Sequence, residues 1–145
     1  ATSAQGTLAT NALPKAGGTL TGALVGGVAT FSIVDTLAVI IDNALIKNEN
    51  NTDVDTGTET VASVAHGTYT AVFFDFVIKN GTNVRAGTVY SCHDGTNVEF
   101  TETSTVDLGD TSDVSLSVDI SGTNMRLRAT TTSDNWIVKS LVRAI

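Results

Sequence analysis

His66, His93 and Cys92 are the best transition-metal ligands in this chain, and each is one of very few of its kind. A zinc centre wants several His, Cys or carboxylate ligands at close spacing. Cys92 and His93 are neighbours in a strand-like stretch, so their side chains leave opposite faces and do not share a metal. Both histidines read as solvated or core residues. Three carboxylates, Asp107, Asp110 and Asp113, stand in a glycine-containing loop. Calcium takes roughly six to eight oxygens, and this loop lacks the EF-hand spacing and its distal glutamate, so aspartate capping of a solvated turn is expected instead. Glu49, Glu59, Glu99 and Glu102 offer material for paired-carboxylate chemistry on glycosides. They form no constellation: Glu99 and Glu102 face opposite sides of one predicted strand. No Gly-x-Ser-x-Gly elbow, P-loop or dinucleotide fingerprint is present. Gly17-Gly18-Thr19 lacks the Lys-Ser/Thr that grips phosphate. No catalytic residue, metal or cofactor is expected.

Aromatic faces also serve sugars, and Trp136, Tyr69 and Tyr90 are the candidates. Aromatic residues make up only 6% of the chain, and Trp136 opens an apolar strand, which reads as a core anchor.

These residues need strands to hold them. Val72, Phe74, Phe76 and Ile78 alternate with Phe73, Asp75, Val77 and Lys79, and Val84, Ala86, Thr88, Tyr90 and Cys92 continue with period two. Val114, Leu116, Val118 and Ile120 alternate with polar residues, as do Met125, Leu127 and Ala129. Such alternation predicts half-buried antiparallel strands. Three Gly-Thr-Asn turns, at 81–83, 95–97 and 122–124, follow Asn80, Asp94 and Ser121. Asn-Gly and Asp-Gly predict tight hairpins with positive φ at both centres. In an up-and-down order, the turns at Thr82 and Thr123 are expected at one end and Thr96 at the other. Asn80, Thr82, Asn83, Ser121, Thr123 and Asn124 are therefore the candidate receptor-facing residues, with plain hairpin turns as the alternative.

The last strand, from residue 135 on, is apolar on both faces: Trp136, Val138 and Val142 on one, Ile137, Leu141 and Ile145 on the other. It belongs inside the domain or at a subunit interface. Residues 37–41 are too β-branched for a comfortable helix and read as a strand. Residues 48–57 read as a polar, exposed loop, and Cys92 as a buried small hydrophobe.

A chain of 145 residues is one domain's worth and buries roughly 70% of its unfolded surface. Charged residues are 16% of it, against about 25% in an average domain. Threonine is the commonest residue, at 24 positions, which favours strands. A net charge of −7 with eight Lys and Arg leaves no basic stripe for nucleic acid or anionic lipid. No window reaches eighteen uninterrupted apolar residues, so no membrane insertion is expected. A single cysteine allows no intrachain disulfide, which fits assembly in a reducing cytoplasm.

The segment Leu13-Pro14-Lys15-Ala16-Gly17-Gly18-Thr19-Leu20-Thr21-Gly22-Ala23-Leu24 is a stop followed by a restart. Pro14 ends a short helix-like lead (residues 3–13, with Leu8, Ala12 and Leu13 apolar). Gly17 and Gly18 permit close backbone approach, and an alternating strand pattern follows. Ala12 to Gly22 resembles the repeat of bacteriophage tail fibres and related virion appendages. Residues 70–145 are similar to carboxy-terminal domains of structural proteins from tailed phages of aquatic bacteria. The likeness there rests on Lys79-Asn80-Gly81-Thr82-Asn83-Val84-Arg85-Ala86-Gly87-Thr88 and on Ser133-Asp134-Asn135-Trp136 to Ile145.

The resemblance and the pattern together imply an all-β chain: an antiparallel β-sandwich or jelly-roll-like domain (31–145) preceded by a short helical or extended trimeric stalk (1–30). Leu8, Leu13, Gly17, Gly18, Leu20 and Leu24 would line the threefold axis. The expected function is a non-enzymatic structural subunit of a phage appendage in the virion, a tail fibre or capsid-attached fibre. Its expected partners are two copies of itself, other virion proteins and a host surface glycan. A secreted bacterial adhesin or carbohydrate-binding module is the alternative.

Overall fold

The described residues form nine antiparallel strands, several of them from period-two apolar patterning. They are β1 (Ala38–Ile41), β2 (Ala44–Val54), β3 (Gly57–Ala65), β4 (Ala71–Asn80), β5 (Asn83–His93), β6 (Val98–Ser104), β7 (Val114–Ser121), β8 (Asn124–Thr131) and β9 (Trp136–Ala144). The computed structural model describes residues 33–145. Leu8, Leu13, Gly17, Gly18, Leu20 and Leu24, with the helix-like lead and the stalk they belong to, lie outside the described residues. The chain divides into two units, Ala1–Asp35 and Thr36–Ile145.

The second unit is a two-sheet sandwich. Six strands in the order β1-β2-β9-β4-β5-β6 form one sheet, and β3-β8-β7 form the other. Val72, Phe74, Phe76 and Ile78 of β4 and Trp136, Val138 and Val142 of β9 meet Val61 and Val64 of β3, Leu116 and Val118 of β7, and Met125 and Leu127 of β8 in one buried cluster. The predicted alternation is borne out on β4, β7 and β8; on β5 the phase is opposite, with Val89 and Ser91 buried and Tyr90 and Cys92 turned out. β9 sits between β2 and β4, which accounts for its two apolar faces: one enters the core, while Leu141 on the other stays 45% exposed.

Three sequence readings are corrected. Residues 48–57 are not a loop; they supply most of β2 and the start of β3. Between the buried Leu45 and Val54, the inward-facing side chains of β2 are polar, and hydrogen bonds to β3 replace apolar burial there. Lys47 Nζ donates to Ser63 O at 2.6 Å, Glu49 Oε2 accepts from Ser63 N at 2.6 Å, and Asn51 Nδ2 donates to Glu59 Oε2 at 2.7 Å. Cys92 is exposed, since Ser91 takes the inward place and donates to Val72 O at 2.8 Å. The tight turns are two-residue Gly-Thr loops closed by Asn80–Asn83 and Ser121–Asn124 pairs. Positive φ is confined to the first centre, Gly81 at +59° and Gly122 at +57°, the hairpin geometry that places glycine there.

Candidate functional site

The two turns expected on one surface lie at opposite ends of the sandwich. At one end Asn80 Nδ2 donates to Asp134 O at 3.2 Å, and Asn83 Oδ1 accepts from Asp110 N at 3.1 Å. There Val84 and Leu108 exchange backbone bonds of 2.8 and 2.9 Å. At the other end Thr123 O accepts from His66 N at 3.0 Å, and the His66 ring packs edge-on against His93 at 5.4 Å. Three strands, β5, β6 and β7, separate the turns, and an odd number of passes reverses the end. Asn80, Thr82 and Asn83 therefore cannot share a surface with Ser121, Thr123 and Asn124. The Gly122-Thr123 turn instead shares its end with the loop 94–97, contrary to the expectation for Thr96. Asn80 and Asn83 are also occupied in tying neighbouring loops down.

In that 94–97 loop, Asp94 Oδ1 accepts from Asn97 N at 2.7 Å and Thr96 N at 2.9 Å, and Asn97 Nδ2 donates to Oδ2 at 2.9 Å. The Asn97 bonds, then Thr96, hold the Asp94 carboxyl down at about 2. A depressed folded value means the turn is supported above the unfolded value and loses that support as acid is added. The loop is expected to loosen as pH falls from about 4 to about 2. Carboxyl titration by NMR checks this; a midpoint at the ordinary aspartate value would show that the turn does not hold the carboxylate.

The acidic loop behaves as a cap. Asp107 Oδ2 accepts from Thr111 N and Oγ1, and Asp110 Oδ1 from Ser112 N and Oγ. Asp113 Oδ2 accepts from Ser133 Oγ at 2.6 Å. Among the described residues no group of three or more His, Cys, Asp or Glu is placed to hold a metal ion. Three of the glutamates hold the structure: Glu49 pairs with Lys47, Glu59 accepts from Asn51, and Glu102 pairs with Arg85 at 3.2 Å. Arg85 also donates to Thr111 Oγ1 and Val114 O, so it closes the gap between the sheets.

Of the three aromatic candidates, Trp136 is 2% and Tyr69 9% exposed, whereas Tyr90 is 43% exposed. Register explains why: β5 turns Val89 and Ser91 inward and Tyr90 and Cys92 outward. Cross-strand pairing sets two rows on the outer face of the large sheet, Ala71–Cys92–Glu99 and Phe73–Tyr90–Thr101. Together they line an open depression of about 550 Å³. Beside it, Arg143 donates to both oxygens of Asp75, at 2.9 and 3.1 Å, and Thr88 Oγ1 donates at 2.7 Å. Burial alone would raise the Asp75 carboxyl, but the Arg143 and Thr88 bonds and the guanidinium charge outweigh it, so it sits below its ordinary value.

The far half of the same outer face is aliphatic. Every residue of β1 is exposed, and no other described strand pairs with its free side. Val39 lies opposite Ile46, Ile46 opposite Arg143, and Leu141 stands two residues before Arg143 on β9. Sequence reading offers Tyr90 and Leu141 without placing them on one exposed face, and does not offer Ile46, because exposure of all three depends on which sheet face the small sheet covers.

No family model matches this chain, and no curated protein matches it. Its structural neighbours are phage tailspike proteins. The tailspike of Acinetobacter phage vB_ApiP_P1 aligns with a TM-score of 0.48 and 17% identity, over 84% of this chain and 26% of that one. The tailspike of Acinetobacter baumannii phage AM24 aligns with a TM-score of 0.40 and 11% identity, over 70% and 26%. This chain thus spans about a quarter of either protein.

Proposed function

We propose that this chain is a structural, non-catalytic subunit of a phage virion appendage, assembled as a homotrimer that meets the host surface. In this reading residues 1–30 form the assembly stalk and residues 31–145 the outer β domain. The observation that carries it is the uncharged edge strand Ala38-Val39-Ile40-Ile41 with the aliphatic patch of Ile46 and Leu141 beside it. Monomeric β proteins blunt such edges with charge, proline or a covering loop, because bare edges pair with other chains. A copy of this chain is the proposed cover. The Leu13-to-Leu24 motif, which resembles assembling fibre repeats, is a separate sequence feature that also favours assembly. The structural hydrogen bonds of Glu49 and Glu59 and the ion pair of Glu102 with Arg85 favour the non-catalytic reading over a glycosidase.

Light scattering on the intact chain at micromolar concentration is expected to give three times the 15.0 kDa chain mass. The double variant Ile46→Asp with Leu141→Lys is expected to lower that mass while leaving the circular dichroism unchanged. Each new charge faces an existing opposite one, Arg143 across from residue 46 and Asp75 across from residue 141, so the fold has no cause to fail. A monomeric parent chain would refute the assembly, and a variant that stays trimeric would refute the patch as its interface.

A further inference from the structure

The Tyr90 depression occupies the other half of the outer face from the aliphatic patch and has a different chemistry. Its floor is made of the small side chains Ala71 and Cys92, and its wall of the large rings Phe73 and Tyr90, in adjacent cross-strand rows. The two rings meet edge to face at 6.1 Å, and the Arg143 guanidinium lies 5.1 Å from the Phe73 centroid. Phe73 is thereby fixed from one side by a cation and from the other by Tyr90, so the aromatic wall is set before any ligand arrives. Preorganisation of this kind lowers the ordering cost of binding. The rim is polar: the Tyr90 and Thr101 hydroxyls, and Glu99, whose carboxylate has no ion pair among the described residues. The volume lies within the roughly 300–1,000 Å³ usual for small-ligand sites.

We infer that this depression binds the ring of a neutral sugar. A pyranose has an apolar C–H face that packs on an aromatic ring and hydroxyls that donate to a carboxylate and exchange hydrogen bonds with side-chain hydroxyls. Charge selects the neutral class. Glu99 is the depression's own formal charge, and Arg143, the cation packed on its Phe73 wall, is neutralised by Asp75. A uronate, sialate or phosphate would therefore bring its anion to an anionic rim whose lining holds no Lys or Arg. This deepens the host-contact part of the reading above and rests on it.

Cys92, the one cysteine of the chain, lies in the floor and serves as a built-in reporter. The intact fluorescently labelled protein, coupled through its amines, is applied to an array of neutral oligosaccharides (maltose, cellulose, chitin and galactan series) and acidic ones (polygalacturonate and polysialate series). Binding is expected among the neutral series. The best neutral oligosaccharide should slow alkylation of Cys92 by iodoacetamide in the unlabelled protein. Tyr90→Ala should weaken binding about tenfold, the scale of one lost ring contact, while Tyr90→Phe keeps most of it. N-ethylmaleimide on Cys92 should block the site without any substitution. Binding confined to the acidic series, no binding at all, or neutral binding that ignores both Tyr90→Ala and the Cys92 adduct would overturn the inference. Oligomer mass is read on the same samples: a trimer that binds no sugar leaves the assembly standing, and a monomer that binds sugar leaves the site standing.

Discussion

Trp136→Ala is expected to destabilise the β domain by about 3–5 kcal/mol, the range for deleting a buried aromatic side chain. Trp136 is 2% exposed and opens β9, opposite Val54 of β2. Alanine would leave a cavity at the point where β2, the 131–135 turn and the acidic loop converge. The indole also organises that turn. Its Nε1–H donates to Ser133 Oγ at 2.9 Å, and Ser133 Oγ donates onward to Asp113 Oδ2 at 2.6 Å. Asn135, at φ +67°, is held in its left-handed conformation next to the ring. Trp136→Phe keeps most of the volume and loses the hydrogen bond, so a cost of about 1–2 kcal/mol is expected. Urea unfolding would show a lower midpoint at unchanged slope for both variants. Since small domains hold only about 5–15 kcal/mol, the alanine variant gives up a large share of its stability. Equal, small costs for the two would mean that the ring is not an anchor.

Gly87→Val is the second large effect, and it acts on the edge strand. A Cβ at residue 87 would stand 2.2 Å from Thr103 O and 2.8 Å from Ser104 Cα. Those are backbone atoms of β6, so the strand itself has to move. Glycine within a strand often marks such a close approach of another backbone. Displacement would break the Thr105 N to Ala86 O bond of 2.8 Å and pull Glu102 from Arg85. The expected cost is at the upper end of the roughly 1–3 kcal/mol typical of overpacking. Hydrogen exchange should locate it: the amides of β6 and Thr105 lose protection while those of β7 and β8 keep theirs. Because Glu99 and Thr101 ride on β6, sugar binding at Tyr90 should fall with it. Gly67→Ala is the control, since a Cβ there meets nothing within 4 Å, and it should leave both properties unchanged. Protection lost evenly over both sheets would show that β6 is not a separable edge.

Local patterning alone carries the all-β class, the strands around Phe74, Leu116 and Leu127, the turn positions and the core place of Trp136. In those stretches apolar residues recur at every second position and glycine punctuates the ends, so local pattern and burial agree. β2 was illegible for the opposite reason: Lys47, Glu49 and Asn51 face inward and satisfy themselves on β3, and no apolar period announces that. Turn conformation was half legible. The Gly-Thr-Asn repeat marks the site of reversal, but closure at Asn80–Asn83 decides that glycine takes the first centre.

For the candidate site, sequence named Tyr90 alongside Trp136 and Tyr69 without separating them. Only the tertiary structure chose, because exposure depends on the phase of β5 against β4 and on the three-stranded sheet covering one face of the six-stranded one. The same packing turned Cys92 outward and sent the Thr82 and Thr123 turns to opposite ends. It also left the free side of Ala38–Ile41 unpaired by any other described strand. A local pattern shows that a residue alternates; which side of the alternation meets water is set by the strands and sheets it packs against.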